Sequence, residues 1–207
     1  MTSAAFHVVY DGPALASHEM DVRDLAPALL ALGEVFENAN RVLNGNRAKV
    51  SVRVKASFET GCFGIDLTVI QSILDQTIDF LISRPVSGAL SLAALIGVVN
   101  KGGKGLIWLI QRLRGRIPSK IEYLSDGRCR LLVDQETFEV EREVIELLKD
   151  FRTRKAIEAA IAEPLKKEGI ETVAFKANGE PFLLVEKQES AYFEAPPPED
   201  AEGTSSI

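Results

Sequence analysis

The feature that most constrains the fold is a run of sixteen residues without a charged side chain, PVSGALSLAALIGVVN, at positions 85–100. As a helix it would extend about 24 Å, whereas the hydrocarbon core of a bilayer is about 30 Å thick. The run is therefore marginal as a transmembrane helix. A second apolar stretch follows at 106–113, after the glycine-rich sequence NKGGKG. We predict a central apolar helical hairpin, and we favour its burial within protein over its insertion in a bilayer.

Small residues recur at every fourth position of the first apolar stretch, at Ala89, Ala93 and Gly97. Such a stripe lets another helix approach closely. The covering helix belongs either to the same chain or to a second copy of it, and contact with a membrane is the third alternative. These three residues are therefore candidate interaction residues.

A tryptophan and several cations accompany the apolar hairpin. Trp108 is a candidate interface anchor. The cations are candidate contacts for an anionic ligand or membrane surface, namely Lys101, Lys104, Arg112, Arg114 and Arg116. The alternative is that they coat a solvated helix and balance the acids of a helix predicted from near Glu139.

The remaining sequence alternates between strand and helix patterns, which predicts an α+β fold with a mostly antiparallel sheet packed by helices. Period-two alternation predicts a strand at 5–12 and hairpins at 49–69, at 120–133 and about Asn178-Gly179. The clearest helix begins after the N-cap residue Asp21 and stops at Asn44-Gly45.

Apolar pieces at 71–82, 85–99 and 106–113 predict three consecutive helices. A further helix is predicted over 152–168, with Pro164 as a kink and Gly169 as its cap. The predicted organisation is an N-terminal α+β domain at 1–118 that includes the apolar helical region 71–114, a smaller α+β portion at 119–188, and a disordered acidic tail at 189–207.

The formal net charge is −6, but the charges are unevenly placed. Nine Lys or Arg accompany two acids between positions 84 and 130, whereas the tail beyond Lys187 holds five acids and no base. Few aromatic residues accompany the bases, which argues against nucleic acid as a partner. Cys62 and Cys129 lack a CxxC spacing, and no cleavable apolar signal opens the sequence. We expect a cytoplasmic protein, or one peripheral to the inner membrane if the hairpin contacts lipid.

One loop is a candidate ligand site. It carries Tyr10, Asp11, His18 and Glu19, so a hydroxyl, an imidazole and carboxylates would lie near the end of the first strand. Ordinary turn and capping chemistry explains the same residue types. No His or Cys pair has zinc-ligand spacing, so we predict no metal, no cofactor and no catalytic residue.

Six segments carry a family resemblance, namely YDG at 10–12, HEMDV at 18–22, LAPALLALGE at 25–34, NRAKVSVRVKASF at 46–58, FGIDL at 63–67 and GLIWLIQRLRGR at 105–116. Together they resemble a family of uncharacterised bacterial and prophage-borne proteins. The resemblance spans about residues 5–185 and implies a bacterial, mobile-element context. The family has no established activity, so it implies no role for any residue.

These patterns favour a non-catalytic assembly or interaction protein over an enzyme. We expect it to self-associate, or to contact a membrane or a partner, through the apolar segment 85–113. The alternative is an enzyme or a small-ligand-binding domain for an anionic ligand centred on the His18 loop. A pocket that joins this loop to the bases would favour the alternative, whereas an uncovered helical face would favour interaction.

Overall fold

In the computed structural model, which describes residues 1–17, 19–55, 63–74, 89–99, 104–177 and 180–197, eight strands form two antiparallel sheets. The larger sheet has the order β2-β3-β1-β7-β8 and the smaller sheet the order β4-β5-β6. The predicted α+β class with antiparallel sheets is confirmed. The strands are β1 Thr2–Asp11, β2 Ala48–Lys55, β3 Phe63–Ile73, β4 Lys120–Tyr123, β5 Arg128–Val133, β6 Glu136–Glu141, β7 Thr172–Ala177 and β8 Glu180–Glu186.

The longest described helix has the predicted ends. The carboxylate of Asp21 accepts the N–H of Arg23 at 2.7 Å, and Gly45 leaves the helix with φ of 57°. None of the helices in the described ranges is long and apolar enough to cross a bilayer. The helices are α1 Val22–Asn44, α2 Ala89–Ile96, α3 Leu106–Leu113, α4 Arg142–Lys149, α5 Phe151–Ile157 and α6 Glu163–Lys166, with a π-helical turn at Glu158–Ala162 and 3-10 helices at Pro13–Leu15, Gly45–Arg47 and Lys187–Phe193.

The core lies between the larger sheet and the helices. Alternate residues of β1 point into it, and Phe6 packs against Phe36 of α1 with ring centroids 5.3 Å apart. α1 covers β2, while α2 covers β1 and β3. The smaller sheet buries its own apolar face, which carries Cys129, Leu131, Val133, Phe138 and Val140.

The predicted helix at 71–82 is wrong at its start, because β3 continues through Ile73. Gln71 pairs with both Thr2 and Val50, and its side-chain amide donates to the side-chain oxygen of buried Asn40 at 3.1 Å. The sheet therefore takes Gln71, whose backbone has partners on both sides, and Ser72 and Ile73 continue the pairing with β2. Positions 75–82 lie outside the described residues.

The helix predicted from near Glu139 begins later, at Arg142, because the preceding residues form β6. Asp134 has φ of 54° and reverses the chain, so Glu139 pairs across the sheet with Arg130 at 2.7 Å. Helical spacing would place the side chain of Val140 on the apolar face of the predicted helix. In the structure this side chain lies on the buried face of the smaller sheet. The same residues fit both the alternation of a strand and the spacing of a helix, and in the structure they form a strand.

The larger sheet crosses the predicted domain boundary at residue 118, because β7 pairs with β1 and β8 pairs with β7. Val8 lies opposite Phe175 in this pairing, and both are fully buried. The strands at the two ends of the sequence thus share one core.

The predicted disorder of 189–207 is wrong for its first part. Phe193 is fully buried at the end of the last 3-10 helix, and the guanidinium of buried Arg154 donates to the carbonyl of Glu194 at 2.8 Å. One aromatic side chain and one buried cation fix a segment whose composition is polar. Positions 198–207 lie outside the described residues.

The helix predicted over 152–168 is present, and Pro164 determines its irregularity. In a regular α-helix the carbonyl of Ala160 accepts the N–H of residue 164, which a proline lacks. The hydroxyl of Tyr10, fully buried on β1, donates to that carbonyl at 3.1 Å. The π-helical turn is thus tied to the centre of the sheet, and Gly169 ends the segment with φ of 75°.

Candidate functional site

Helix α3 has one face in the core and one face toward solvent. Leu106, Ile107, Leu109, Ile110 and Leu113 are buried, as expected for apolar residues at helical spacing. Between them Trp108 and Gln111 are half-buried and Arg112 is exposed. The helix ends at Arg114, which has φ of 54° and donates its N–H to Ile110. The core face therefore fixes the direction in which the outer side chains project.

Trp108 lies at the centre of this outer face. Its ring meets that of Phe138 edge-on, with centroids 6.3 Å apart. The ammonium of exposed Lys104 lies 5.3 Å from the Trp108 ring centroid, within the range of a cation–π contact. The indole thus joins the smaller sheet to the start of α3 and keeps part of its surface accessible.

Gln111 ties α3 to the C-terminal segment. Its amide nitrogen donates to the carbonyl of Leu184 at 2.8 Å and to the carboxylate of Glu189 at 2.9 Å. The same carboxylate accepts the N–H of Glu186 and so caps the last 3-10 helix. This places β8 and the 3-10 helix along one side of α3.

The space between these elements is a groove with two adjoining parts, of about 410 Å³ and about 240 Å³. Gln111, Arg114 and Glu189 border both parts. The larger part is completed by Leu184, Glu186, Gln188 and Tyr192, and the smaller part by Trp108 and Arg112. The groove therefore combines two aromatic rings with groups of both charges.

The predicted cations of α3 have different roles. Arg116 donates to the carbonyls of Leu113 and Arg112 and pairs with Asp134 at 2.9 Å, so it caps the C-terminal end of the helix. Arg112 pairs with Glu136 at 2.9 Å on the surface. Arg114 has no carboxylate within ion-pair distance among the residues that the structure describes. Lys101 lies outside the described residues.

Two members of the small-residue stripe are buried inside the chain. Ala93 is fully buried, Gly97 is buried with φ of 95°, and Gly105 lies against Gly97. A Cβ atom at Gly105 would stand 2.6 Å from the Cα of Gly97 and 2.7 Å from the carbonyl oxygen of Ala94. The backbone just after α2 and the backbone at the start of α3 thus pack closely against each other, as small residues permit. Ala89 begins α2.

The loop proposed from Tyr10, Asp11, His18 and Glu19 is not brought together as a site in the described residues. Burial raises the pKa of the Tyr10 hydroxyl, which donates its hydrogen bond to the carbonyl of Ala160 inside the core. The carboxylate of Asp11 accepts the N–H of Gly12 at 2.8 Å, and Glu19 is exposed. His18 lies outside the described residues. Turn chemistry therefore accounts for the acid nearest the strand.

Within the described ranges, no group of three His, Cys, Asp or Glu side chains is placed to hold a metal ion. Cys129 is a free, buried thiol, and burial raises its pKa. A protonated thiol in an apolar core is a poor nucleophile. Cys62 lies outside the described residues.

Sequence reasoning identified the α3 side of the groove but missed the opposite side. Leu184, Glu186, Glu189 and Tyr192 were assigned to a hairpin or to a disordered tail, which concealed their approach to α3. The adjacent aromatics Tyr192 and Phe193 were the available signal, because two large rings in a polar tail favour docking.

Comparison of the chain with protein-family models, with curated proteins and with solved structures found no match.

Proposed function

We propose that the protein is a non-catalytic interaction protein that self-associates through the outer side of α3 and the groove beside it. The observation that carries this proposal is the grouping of Trp108, Arg112, Arg114 and Tyr192 around one groove. Trp, Tyr and Arg are the residue types that contribute most often to binding energy at protein interfaces. The proposed interaction surface thus overlaps the segment 85–113 and extends to Arg114 and to the C-terminal segment.

A second copy of the chain is the occupant that the charges favour. Arg112 and Arg114 lie on the α3 side of the groove, whereas Glu186 and Glu189 lie on the opposite side. A twofold interface brings each patch against the same patch of the partner, so mixed charges can pair reciprocally. Leu184, which is 43% exposed between these groups, supplies apolar area.

The central apolar helical hairpin has a supporting role in this proposal. We infer that α2 and α3 are its arms, because the backbone of Gly97 and that of Gly105 approach each other closely. A glycine pair at this point lets two helices pack without an intervening side chain. The hairpin then presents its charged side to the partner and keeps the stripe with Ala93 for the core.

We propose a cytoplasmic location and a bacterial, mobile-element context for this assembly. The buried free thiol of Cys129 is compatible with a reducing compartment. An anionic membrane surface is the competing partner, since Lys104 and Arg114 flank Trp108 along the same side. Binding of the groove to a membrane would overturn self-association.

Sedimentation velocity at several protein concentrations tests the proposal. We expect a concentration-dependent dimer for the wild type and a monomer for Arg114→Glu and for Glu186→Arg, because each variant places like charges opposite each other. An equimolar mixture of the two variants should recover the dimer, since the reversed charges then pair. Arg53→Glu, on the exposed outer face of β2, is the matched control and should leave the dimer intact.

A wild type that stays monomeric at every concentration would refute self-association. A dimer that persists in Arg114→Glu would place the interface elsewhere. Flotation of the monomeric wild type with vesicles that contain anionic lipid, lost in Arg114→Glu, would assign the groove to a membrane surface instead.

A further inference from the structure

The two edges of the larger sheet differ in their availability. At the β8 edge the carbonyl of Leu184 accepts the side chain of Gln111, and Pro181 has no N–H to offer. At the β2 edge the backbone of residues 49–55 hydrogen-bonds only to β3 among the described residues. With respect to the described part of the chain, the outward backbone groups of residues 49–55 are therefore unpaired, which is the template for an added strand.

The outer face of β2 is a row of cations. Lys49, Arg53 and Lys55 are exposed, alternate with valines, and form no ion pair with any described residue. Across the strand pair Lys55 lies opposite Asp66, whose carboxylate instead binds the Nδ1 atom of His7 at 2.7 Å. Within the described ranges, the row thus carries positive charge without a carboxylate of its own.

The inner face of the same edge leaves apolar surface accessible. Val50 and Val52 are half-buried beneath α1, and Val54 is 56% exposed. An adjacent strand would cover these side chains with its own inward residues. The edge therefore fits a strand that alternates acidic and β-branched residues, with its acids about 6.6 Å apart on one face.

We propose that the β2 edge binds an extended acidic peptide segment of a partner protein as a sixth strand. Backbone hydrogen bonds join the segment to β2, its acids lie opposite Lys49, Arg53 and Lys55, and its apolar residues cover Val52 and Val54. The cations also disfavour pairing of this edge with the same edge of a second copy. Two β2 strands side by side would bring cations of both copies together, which disfavours that pairing. This surface is separate from the α3 groove and does not rest on the self-association proposed above.

The probe is a fluorophore-labelled, acetylated and amidated peptide of alternating Glu and Val, added to the full-length protein and followed by fluorescence anisotropy. We expect saturable binding that is about tenfold weaker for Arg53→Glu, because one cross-strand attraction becomes a repulsion. The triple variant Lys49→Glu, Arg53→Glu and Lys55→Glu should instead prefer a peptide of alternating Lys and Val. Arg114→Glu should bind the first peptide as the wild type does.

Backbone methylation separates strand addition from simple charge attraction. Two versions of the Glu–Val peptide carry N-methyl groups on alternate residues, one for each edge of the peptide strand. A strand that uses one edge on β2 tolerates methylation of the other edge, so one version should bind and the other should not.

Equal binding of both methylated versions, or of a peptide with the same composition in scrambled order, would refute strand addition. Absence of peptide binding together with binding of a mixed single-stranded oligonucleotide, lost in Arg53→Glu, would overturn the proposal in favour of a nucleic acid. A wild type that binds neither probe would refute binding of an acidic strand at this edge.

Discussion

Replacement of Gly105 by alanine tests the packing that directs the outer face of α3 toward solvent. The backbone at Gly105 has φ of −72° and ψ of 179°, which alanine adopts without strain. The added Cβ would lie 2.6 Å from both the Cα and the N of Gly97, and 2.7 Å from the carbonyl oxygen of Ala94. All three neighbours are backbone atoms, so a side-chain rotation cannot relieve the clash.

The size of the effect follows from those distances. Ordinary contacts between carbon atoms are about 3.5–4.0 Å, so the start of α3 must move by about 1 Å from the end of α2. Overpacking of this kind costs about 1–3 kcal/mol, offset by about 0.4–1 kcal/mol from the lower entropy of the unfolded alanine chain. For a protein of this size each kcal/mol lowers Tm by about 2–4 °C.

Gly33→Ala is the matched control, because Gly33 lies within α1 and a Cβ there meets nothing within 4 Å. That variant should gain about 0.5–1 kcal/mol from helix propensity. Urea unfolding followed by circular dichroism measures both variants. A Gly105→Ala protein as stable as Gly33→Ala would refute the close approach of Gly97 and Gly105.

Two further predictions concern the centre and the C-terminal end of the fold. Tyr10→Phe leaves the carbonyl of Ala160 without its side-chain donor and should lower the free energy of unfolding by about 1–3 kcal/mol. An unchanged urea midpoint would show that Ala160 has another donor. Burial opposes ionisation of Glu158, but hydrogen bonds from Lys155 and from the N–H of Ala195 prevail and hold its pKa below the ordinary 4.5. The ionised group therefore stabilises the fold above about pH 4.5, and this stabilisation is lost as the pH falls through the lowered pKa. Glu158→Gln should be less stable than the wild type at pH 7, with a difference that shrinks in acid. A difference that does not change with pH would contradict this origin of the stability.

Much of the fold could be predicted from local sequence patterns. Asp21 and Gly45 mark the ends of α1 because a side-chain cap and a glycine stop act on neighbouring residues. The alternation in β2 and β5 likewise placed their apolar residues on one face. Such signals depend on the residues within one element, so they predict its structure without knowledge of the rest of the chain.

The errors occurred where distant partners decide the structure. Gln71 belongs to a strand because two neighbouring strands pair with it, and β6 forms because its residues pair along the whole of β5, with Glu139 opposite Arg130. The C-terminal segment is ordered because Phe193 finds a core position. In each case the local pattern permitted more than one outcome, and long-range pairing selected among them.

The two sides of the candidate groove also differ in how far the sequence predicts them. Its α3 side was apparent from the sequence, since Trp108 and Arg112 interrupt an apolar helix and Arg114 follows it directly. Its other side required the approach of Leu184 and Tyr192, about seventy residues later in the chain, which no periodicity encodes. Only assembled elements can define a groove between them.

The α+β class, the caps of α1 and a charge-free central segment too short to favour membrane spanning could all be predicted from local patterns in the chain. Long-range packing, in contrast, turned Ala93 and Gly97 toward the chain's own interior and left the charged side of α3 outside. No local pattern could predict this, because a small-residue stripe specifies close packing but not the identity of its partner. Within this chain Gly105 supplies that partner, because its missing side chain lets two backbones meet.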